Sequence, residues 1–366
     1  MEIDKELPLA KVGDLTDKII LKGVAELLEA YEFIDAQKLD IVEKFDNLEY
    51  QGFSDKKQII LSFLLEEGQE KTTATGIYEF TKDFLKSNFK LYDYVMYCLE
   101  KDFRDLVREN IDEMLNKHPD ILKQYRLIQD SNNTWKIRAM TSSLYKNYDN
   151  NVVIYLAIIY LHQYAKKQGT VFKLENAQLS DSELRLIFQN EESINIDGLG
   201  NLYVGLFISN SEIKEKAFTF ELRYKIVNEN HTNQFGMIPN ISDALVNVRH
   251  TSRVETMFSK MKEIEQLDNK FKETLGMIKA IQEIKVLDSN QVYILFEKIL
   301  NEKDLSPETK KSFKTYYDDN LVNKTMGIID LLEKTTEFAE DFDQRITLER
   351  IYYGLIMELL EKKKDD

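Results

Sequence analysis

The chain of 366 residues is short of cysteine, proline, histidine and long apolar runs, and each shortage excludes something. Its one cysteine, Cys98, rules out an intramolecular disulfide framework and points to a reducing compartment. Cys98 lies in the apolar stretch YDYVMYCLE, where a packed core thiol is expected. Four prolines and thirteen glycines fit a mostly helical protein with few elaborate loops. The four histidines, His118, His162, His231 and His250, form neither a two-histidine helical pair nor a Cys/His cluster, so no metal site is expected. His162 ends an apolar helix and reads as a satisfied, partly buried imidazole. The most apolar segment, Val152–Leu161, falls well short of the roughly 20 residues that cross a bilayer. The opening MEIDKELPLAKVGDL has no basic region followed by an apolar run, so no secretory signal is expected. These absences lead to the expectation of a cytoplasmic protein with no membrane partner.

Arrangements that carry chemistry are missing too. DGLGNLYVG holds Gly198, Gly200 and Gly205, but it precedes a strand instead of opening a helix, so it reads as a turn and not a phosphate loop. The serines of ISNSEI have no nearby base or elbow motif. The acids of EFAEDFDQ read as a solvated helix face. No cofactor is implied, and a non-enzymatic role is the expectation.

What the sequence does have is charge, unevenly placed. The formal net charge is −15. Residues 1–120 carry 16 Lys/Arg against 27 Asp/Glu, whereas residues 121–175 carry 8 against 3. The hydrophobic fraction of 43% is enough for a packed core.

Residues 15–120 read as helical, with Asp17 in an early turn, Ser54 as an N-cap, Gly68 as a stop and Pro119 ending the last helix. At Ile121 the period changes. KQYRLIQ and TWKIRAMTS, joined by DSNN, read as a hairpin in which Trp135, Ile137 and Ala139 share one face and Lys136 and Arg138 the other. A buried helix over 151–166 follows, then further strands. In KAFTFELRYKIVN, Phe218, Phe220, Leu222, Tyr224 and Ile226 alternate with Thr219, Glu221, Arg223 and Lys225. From Ser242 the pattern is helical, with Met257, Met261, Ile264, Phe271, Leu275 and Ile278 along one helix of roughly forty residues. Ser306 and Pro307 mark a later helix start.

The positive island is the candidate site. Lys123, Arg126, Lys136, Arg138 and Lys146 surround the hairpin, interleaved with Tyr125, Trp135, Tyr145 and Tyr148. Arg223 and Lys225 decorate another strand. Arg249 and Arg253, four apart, would share a helix face. Single-stranded nucleic acid calls for this mixture, cations for phosphates and aromatic faces for bases. The structural alternative is equally concrete: alternating cations cover solvent faces of strands and pair with an acidic layer.

From about Arg108 to Lys285 the chain resembles a phage/plasmid-like protein family known only as a domain of unknown function. The resemblance rests on VRENIDEMLNKHPD, WKIRAMTSSLYKNYDN, ISNSEIKEKAFTFELRYKIVN and NVRHTSRVE in that order. It departs from the family pattern at VNENHTNQFGM and at Lys214. The matching positions are Arg138, Ser142, Tyr145, Asp149 and Asn150; Asn210, Ser211 and Glu212; and Arg249, His250 and Thr251. The resemblance implies a mobile-element protein inside a bacterial cell. A buried Arg138–Asp149 or Arg249–Glu212 pair would produce the same pattern for structural reasons.

The expected architecture is α+β: an acidic helical N-terminal layer (1–120), a central mainly antiparallel sheet with a buried helix (121–241) and a C-terminal helical bundle (242–366). The expected function is non-enzymatic contact with nucleic acid, single-stranded above all, in replication or recombination. Lys136, Arg138, Tyr145, Arg223, Lys225, Arg249 and Arg253 are the expected contacts. The alternative is a protein-binding factor, an inhibitor of host defence or an assembly component, whose acidic helices meet a basic host or phage protein. Oligomerisation through the helix from Ser242 is compatible with either.

Overall fold

The computed structural model describes residues 21–63, 71–142, 145–213, 218–228, 234–280 and 286–365. Asp17, Gly68, Lys214 and His231 lie outside them, as does the opening segment read for a signal. The fold is α+β, organised around two large sheets.

Helix α1 (Val24–Asp35) leads into the first sheet, whose strands are β1 (Lys38–Lys44), β2 (Leu48–Phe53), β3 (Ile59–Phe63), β4 (Thr72–Gly76), β5 (Leu122–Gln129) and β6 (Trp135–Thr141). They lie in the order β1-β5-β6-β4-β3-β2, with only β4 and β6 parallel. The hairpin appears where the alternation placed it. The expected helix over 54–68 does not: Ile59, Leu61 and Phe63 are buried in β3. Leu61, Ser62 and Phe63 are buried in succession on both faces, so the run carries neither a helical stripe nor a clean alternation. Ser54 closes the β2–β3 turn instead of capping a helix, its carbonyl accepting from the Lys57 amide at 2.9 Å. The acidic layer is thus reduced to α2 (Phe80–Phe89), α3 (Tyr92–Glu100) and α4 (Arg104–Lys117). These helices cover the sheet around Phe45, Phe63, Phe84, Val107, Ile111, Tyr125 and Ile137, and Cys98 is buried among them.

The second sheet begins after α5 (Asn150–Gln168), the expected buried helix. Its strands β7 (Phe172–Leu179), β8 (Glu183–Ile196), β9 (Gly200–Ser211), β10 (Phe218–Val227) and β11 (Gln234–Met237) form an antiparallel meander, and β12 (Val246–Val248) also pairs with β10. One face carries α5. The other is crossed by the C-terminal helix, so both faces of β10 are buried. A fully buried Leu, Ile or Phe side chain contributes about 1.5–3 kcal/mol, and β10 alone presents Phe218, Phe220 and Ile226.

The long helix expected from Ser242 is interrupted. Helix α6 (Val254–Met261) and helix α7 (Leu267–Ala280) are separated by a 3₁₀ turn over Lys262–Gln266, with Met257, Met261 and Ile264 buried along them. The chain then forms α8 (Ser289–Asn301), α9 (Pro307–Asn320), α10 (Ile328–Thr336) and α11 (Phe342–Asp365). Ser306 caps α9 as expected, its Oγ accepting from the Thr309 amide at 3.0 Å.

Among the described residues two large apolar cores result, with a small third cluster of Ile187, Phe207, Ile238 and Ile346, and the large cores cut the chain differently from the expected boundaries. One holds residues between Ile41 and Ile137. The other joins Leu21–Tyr31 to residues from Tyr148 onward. Between them lies a polar seam.

Candidate nucleic-acid interface and a buried ion network

The seam is centred on Glu212, directly after β9, whose side chain is 0% exposed. Lys38 Nζ, from β1, donates to its two oxygens at 2.8 and 2.9 Å. Arg138 Nη1, from β6, donates at 3.0 Å, and the Asn150 amide at the start of α5 donates at 3.0 Å. Glu212 therefore joins both sheets and occupies the N-terminal end of α5, where the helix dipole favours an anion. Burial alone would raise its pKa. The charges of Lys38, Arg126 and Arg138 outweigh burial and hold it below the usual carboxylate range.

Arg126 extends the network. It donates to Asp149 Oδ2 at 2.6 Å, to Asp40 Oδ1 at 3.2 Å and to the Glu212 carbonyl at 2.8 Å. Burial raises the pKa of Asp149, with Arg126 opposing and Glu212 reinforcing the rise. Arg138 reaches the seam because of a β-bulge. Arg126 pairs with Ala139 and Leu127 with Ile137, which leaves Arg138 without a partner in the ladder and re-aimed. Its Nη1 also donates to the Asp181 carbonyl.

Tyr145 and His250 close one end. Their rings stack at 4.8 Å and 7°, and the Tyr145 hydroxyl donates to the Glu212 carbonyl at 2.9 Å. His250 Nδ1 lies 3.1 Å from the Lys146 carbonyl, so Nδ1 carries the proton. Burial lowers the His250 pKa. Asn210 donates to the Tyr148 carbonyl at 3.0 Å and to Asn150 Oδ1 at 2.9 Å.

A second network lies under α11. Arg223 is 0% exposed and forms a bidentate pair with Glu349, both bonds 2.7 Å, and a further bond to Glu175 at 2.9 Å. Lys225 pairs with Glu175. Gly236, on the neighbouring β11, leaves room for this pair: a Cβ there would stand 2.2 Å from the Glu349 carboxylate.

The seven expected contact residues therefore do not share a surface. Arg138 and Arg223 are buried in ion pairs, Lys225 is bound to Glu175, and Lys136 is 3.4 Å from Asp130. The two arginines neutralise the buried carboxylates of Glu212 and Glu349, where a phosphate cannot reach them, whereas Lys136 and Lys225 pair with partly exposed carboxylates. The aromatic set is occupied as well: Tyr125 and Tyr148 are buried, and Trp135 packs against the first core. Most motif positions do converge on the seam, namely Arg138, Tyr145, Asp149, Asn150, Asn210, Glu212 and His250. Ser211 is buried beside them, whereas Ser142 and Thr251 are exposed. Asp149 pairs with Arg126 and Glu212 with Arg138, so neither anticipated pairing forms.

Arg249 and Arg253 remain exposed, but they do not lie along one helix. A turn separates them, with the Ser252 amide donating to the Arg249 carbonyl at 2.8 Å, and Arg253 is the N-cap residue of α6. Lys146, also exposed, is drawn to the same corner by its amide bond to the His250 carbonyl at 2.8 Å. Lys38 and Asp40 lie in a segment that reads as helical, so the sequence does not single them out. The period-2 pattern of KLDIVEK was the available signal.

Among the described residues no group of three or more His, Cys, Asp or Glu side chains is placed to hold a metal ion. No described helix is long and apolar enough to cross a membrane. Comparison with protein families, with curated proteins and with solved structures returns no match for this chain.

Proposed function

We propose that the protein contacts nucleic acid along the phosphate backbone, at the corner formed by Lys146, Arg249 and Arg253. The observation that carries this reading is the convergence of three exposed cations with no ion-pair partner among the described residues, on two segments tied together by backbone hydrogen bonds. In a chain of formal charge −15, cations left unneutralised on one corner call for an anionic partner. The position of Arg253 at the N-terminus of α6 adds a dipole of the same sign.

The reading is narrower than base recognition. Of the interleaved aromatics, Tyr125 and Tyr148 are buried, Tyr145 is stacked on His250 and Trp135 packs against the first core, which leaves little aromatic surface for an unpaired base. Contact limited to phosphates favours a duplex, which carries charge at about one per 1.7 Å of axis. The motif resemblance supports a setting in a bacterial cell beside phage or plasmid DNA.

The test is fluorescence anisotropy of a short labelled DNA duplex at low salt. A variant carrying Lys146→Ala, Arg249→Ala and Arg253→Ala should bind about tenfold more weakly or worse. Lys136→Ala, away from the corner, should bind as the parent does. Equal binding by the triple variant, or no binding by the parent at low salt, would sink the proposal.

A further inference from the structure

We infer that the outer face of the α3–α4 helix pair is a docking surface for a basic, amphipathic segment of a protein partner. Tyr94 and Tyr97 lie one turn apart on α3, and Phe103 and Leu106 stand at the start of α4. All four are exposed, Tyr97 by 55% and Phe103 by 48%. The inner faces of the same helices are satisfied by Val95, Cys98, Val107 and Ile111 in the core, so the outer residues are surplus to packing.

The four form one surface. Helices α3 and α4 pack against each other. Asn110 of α4 donates to the Leu106 carbonyl at 2.6 Å. The Phe103 amide donates to the Cys98 carbonyl at 2.8 Å, which sets Phe103 beside the end of α3 that carries Tyr97. The turn between the helices is held by Asp102 at φ 60°, a left-handed conformation uncommon outside glycine, and it presents Phe103 to solvent.

Charge selects the occupant. On this face Asp93, Asp105 and Glu109 are exposed with no ion-pair partner among the described residues, against Lys101 alone of opposite sign. Of the other cations, Arg104 is paired with Asp102 at 3.0 Å and Lys57 with Glu100 at 3.2 Å, while Arg108 keeps its charge but is held over β2 by the Tyr50 carbonyl at 3.1 Å and the Tyr50 ring. An apolar patch with a negative rim complements a helix with an apolar stripe flanked by Lys and Arg. The same rim repels nucleic acid and anionic lipid. This surface is separate in sequence from the Lys146 corner and does not depend on it.

The test uses a labelled amphipathic peptide with a leucine stripe and a lysine face, together with its counterpart bearing glutamate for lysine. The full chain should bind the basic peptide with one-to-one stoichiometry and ignore the acidic one. Tyr97→Ser with Phe103→Ser, both at exposed positions, should weaken binding at least tenfold with thermal stability unchanged. Asp93→Lys, Asp105→Lys and Glu109→Lys together keep the aromatics and should reverse the preference between the two peptides. Binding of the basic peptide that neither variant alters would overturn the inference, as would no binding at low salt. A dimer in solution that Phe103→Ser dissociates would overturn it in favour of a second copy of the chain.

Discussion

Replacing Glu212 by glutamine tests the buried seam directly. The carboxylate is fully enclosed and receives Lys38 twice, Arg138 once and the first amide of α5. Glutamine preserves the shape and one acceptor but leaves Lys38 and Arg138, both out of solvent, without the charge that offsets their desolvation. Removing one partner of a buried ion pair costs about 3–5 kcal/mol, against at most about 1 kcal/mol for an exposed pair. The expected loss is therefore in the upper range, measured by urea denaturation of the purified chain with far-ultraviolet dichroism. Arg138→Met should cost a similar amount alone, and the double variant should lose clearly less than the two separate losses combined. A loss below about 1 kcal/mol for Glu212→Gln, or simple additivity in the double variant, would refute the argument that this contact holds the two sheets together.

Two further outcomes follow from the same geometry. Gly236→Ala forces a methyl group to within 2.2 Å of the Glu349 carboxylate and so displaces a partner of buried Arg223. It should cost about 3 kcal/mol or more by the same denaturation assay, and a near-neutral result would mean that α11 yields easily. His250, held neutral by burial, titrates below its ordinary value of 6.5 in the folded chain. The unfolded chain then takes up more protons in the interval between the two values, so this contribution is complete above 6.5 and is lost as pH falls through that interval. His250→Phe should flatten the denaturation midpoint across this window. Asp149, with its raised pKa, works in the opposite sense, and Glu212 loses its contribution only at lower pH.

The hairpin, the buried helix, the Ser306 cap and the alternation of β10 were legible because each is set by neighbours a few residues away. The environment of those alternating faces was not. Thr219, Glu221, Arg223 and Lys225 read as a solvent face, yet α11 covers it and supplies Glu349, 126 residues away. Arg138 was legible as a cation on a strand, but its partner Glu212 lies 74 residues on, and Lys38 reaches the same carboxylate across 174 residues. Two of the island's cations, Arg126 and Arg138, therefore belong to a balanced buried seam with Lys38, Asp40, Asp149 and Glu212. Strand β3 is hard to read because a short apolar run buried on both sides carries little period of its own, whereas β1 is short and mostly charged, with only Ile41 buried and a brief alternation as its signal. Three cations at the Lys146 corner are what the sequence identified and the fold left exposed.

The most direct measurement of that remainder is the salt dependence of duplex DNA binding by the unmodified chain. Three phosphate contacts predict a slope of about −2.7 in log affinity against log salt, from about 0.9 per contact. A slope near that value, falling toward zero when Lys146, Arg249 and Arg253 are removed, is the predicted result. Binding that is insensitive to salt, or a slope unchanged in the triple variant, would contradict the assignment of this corner as the contact.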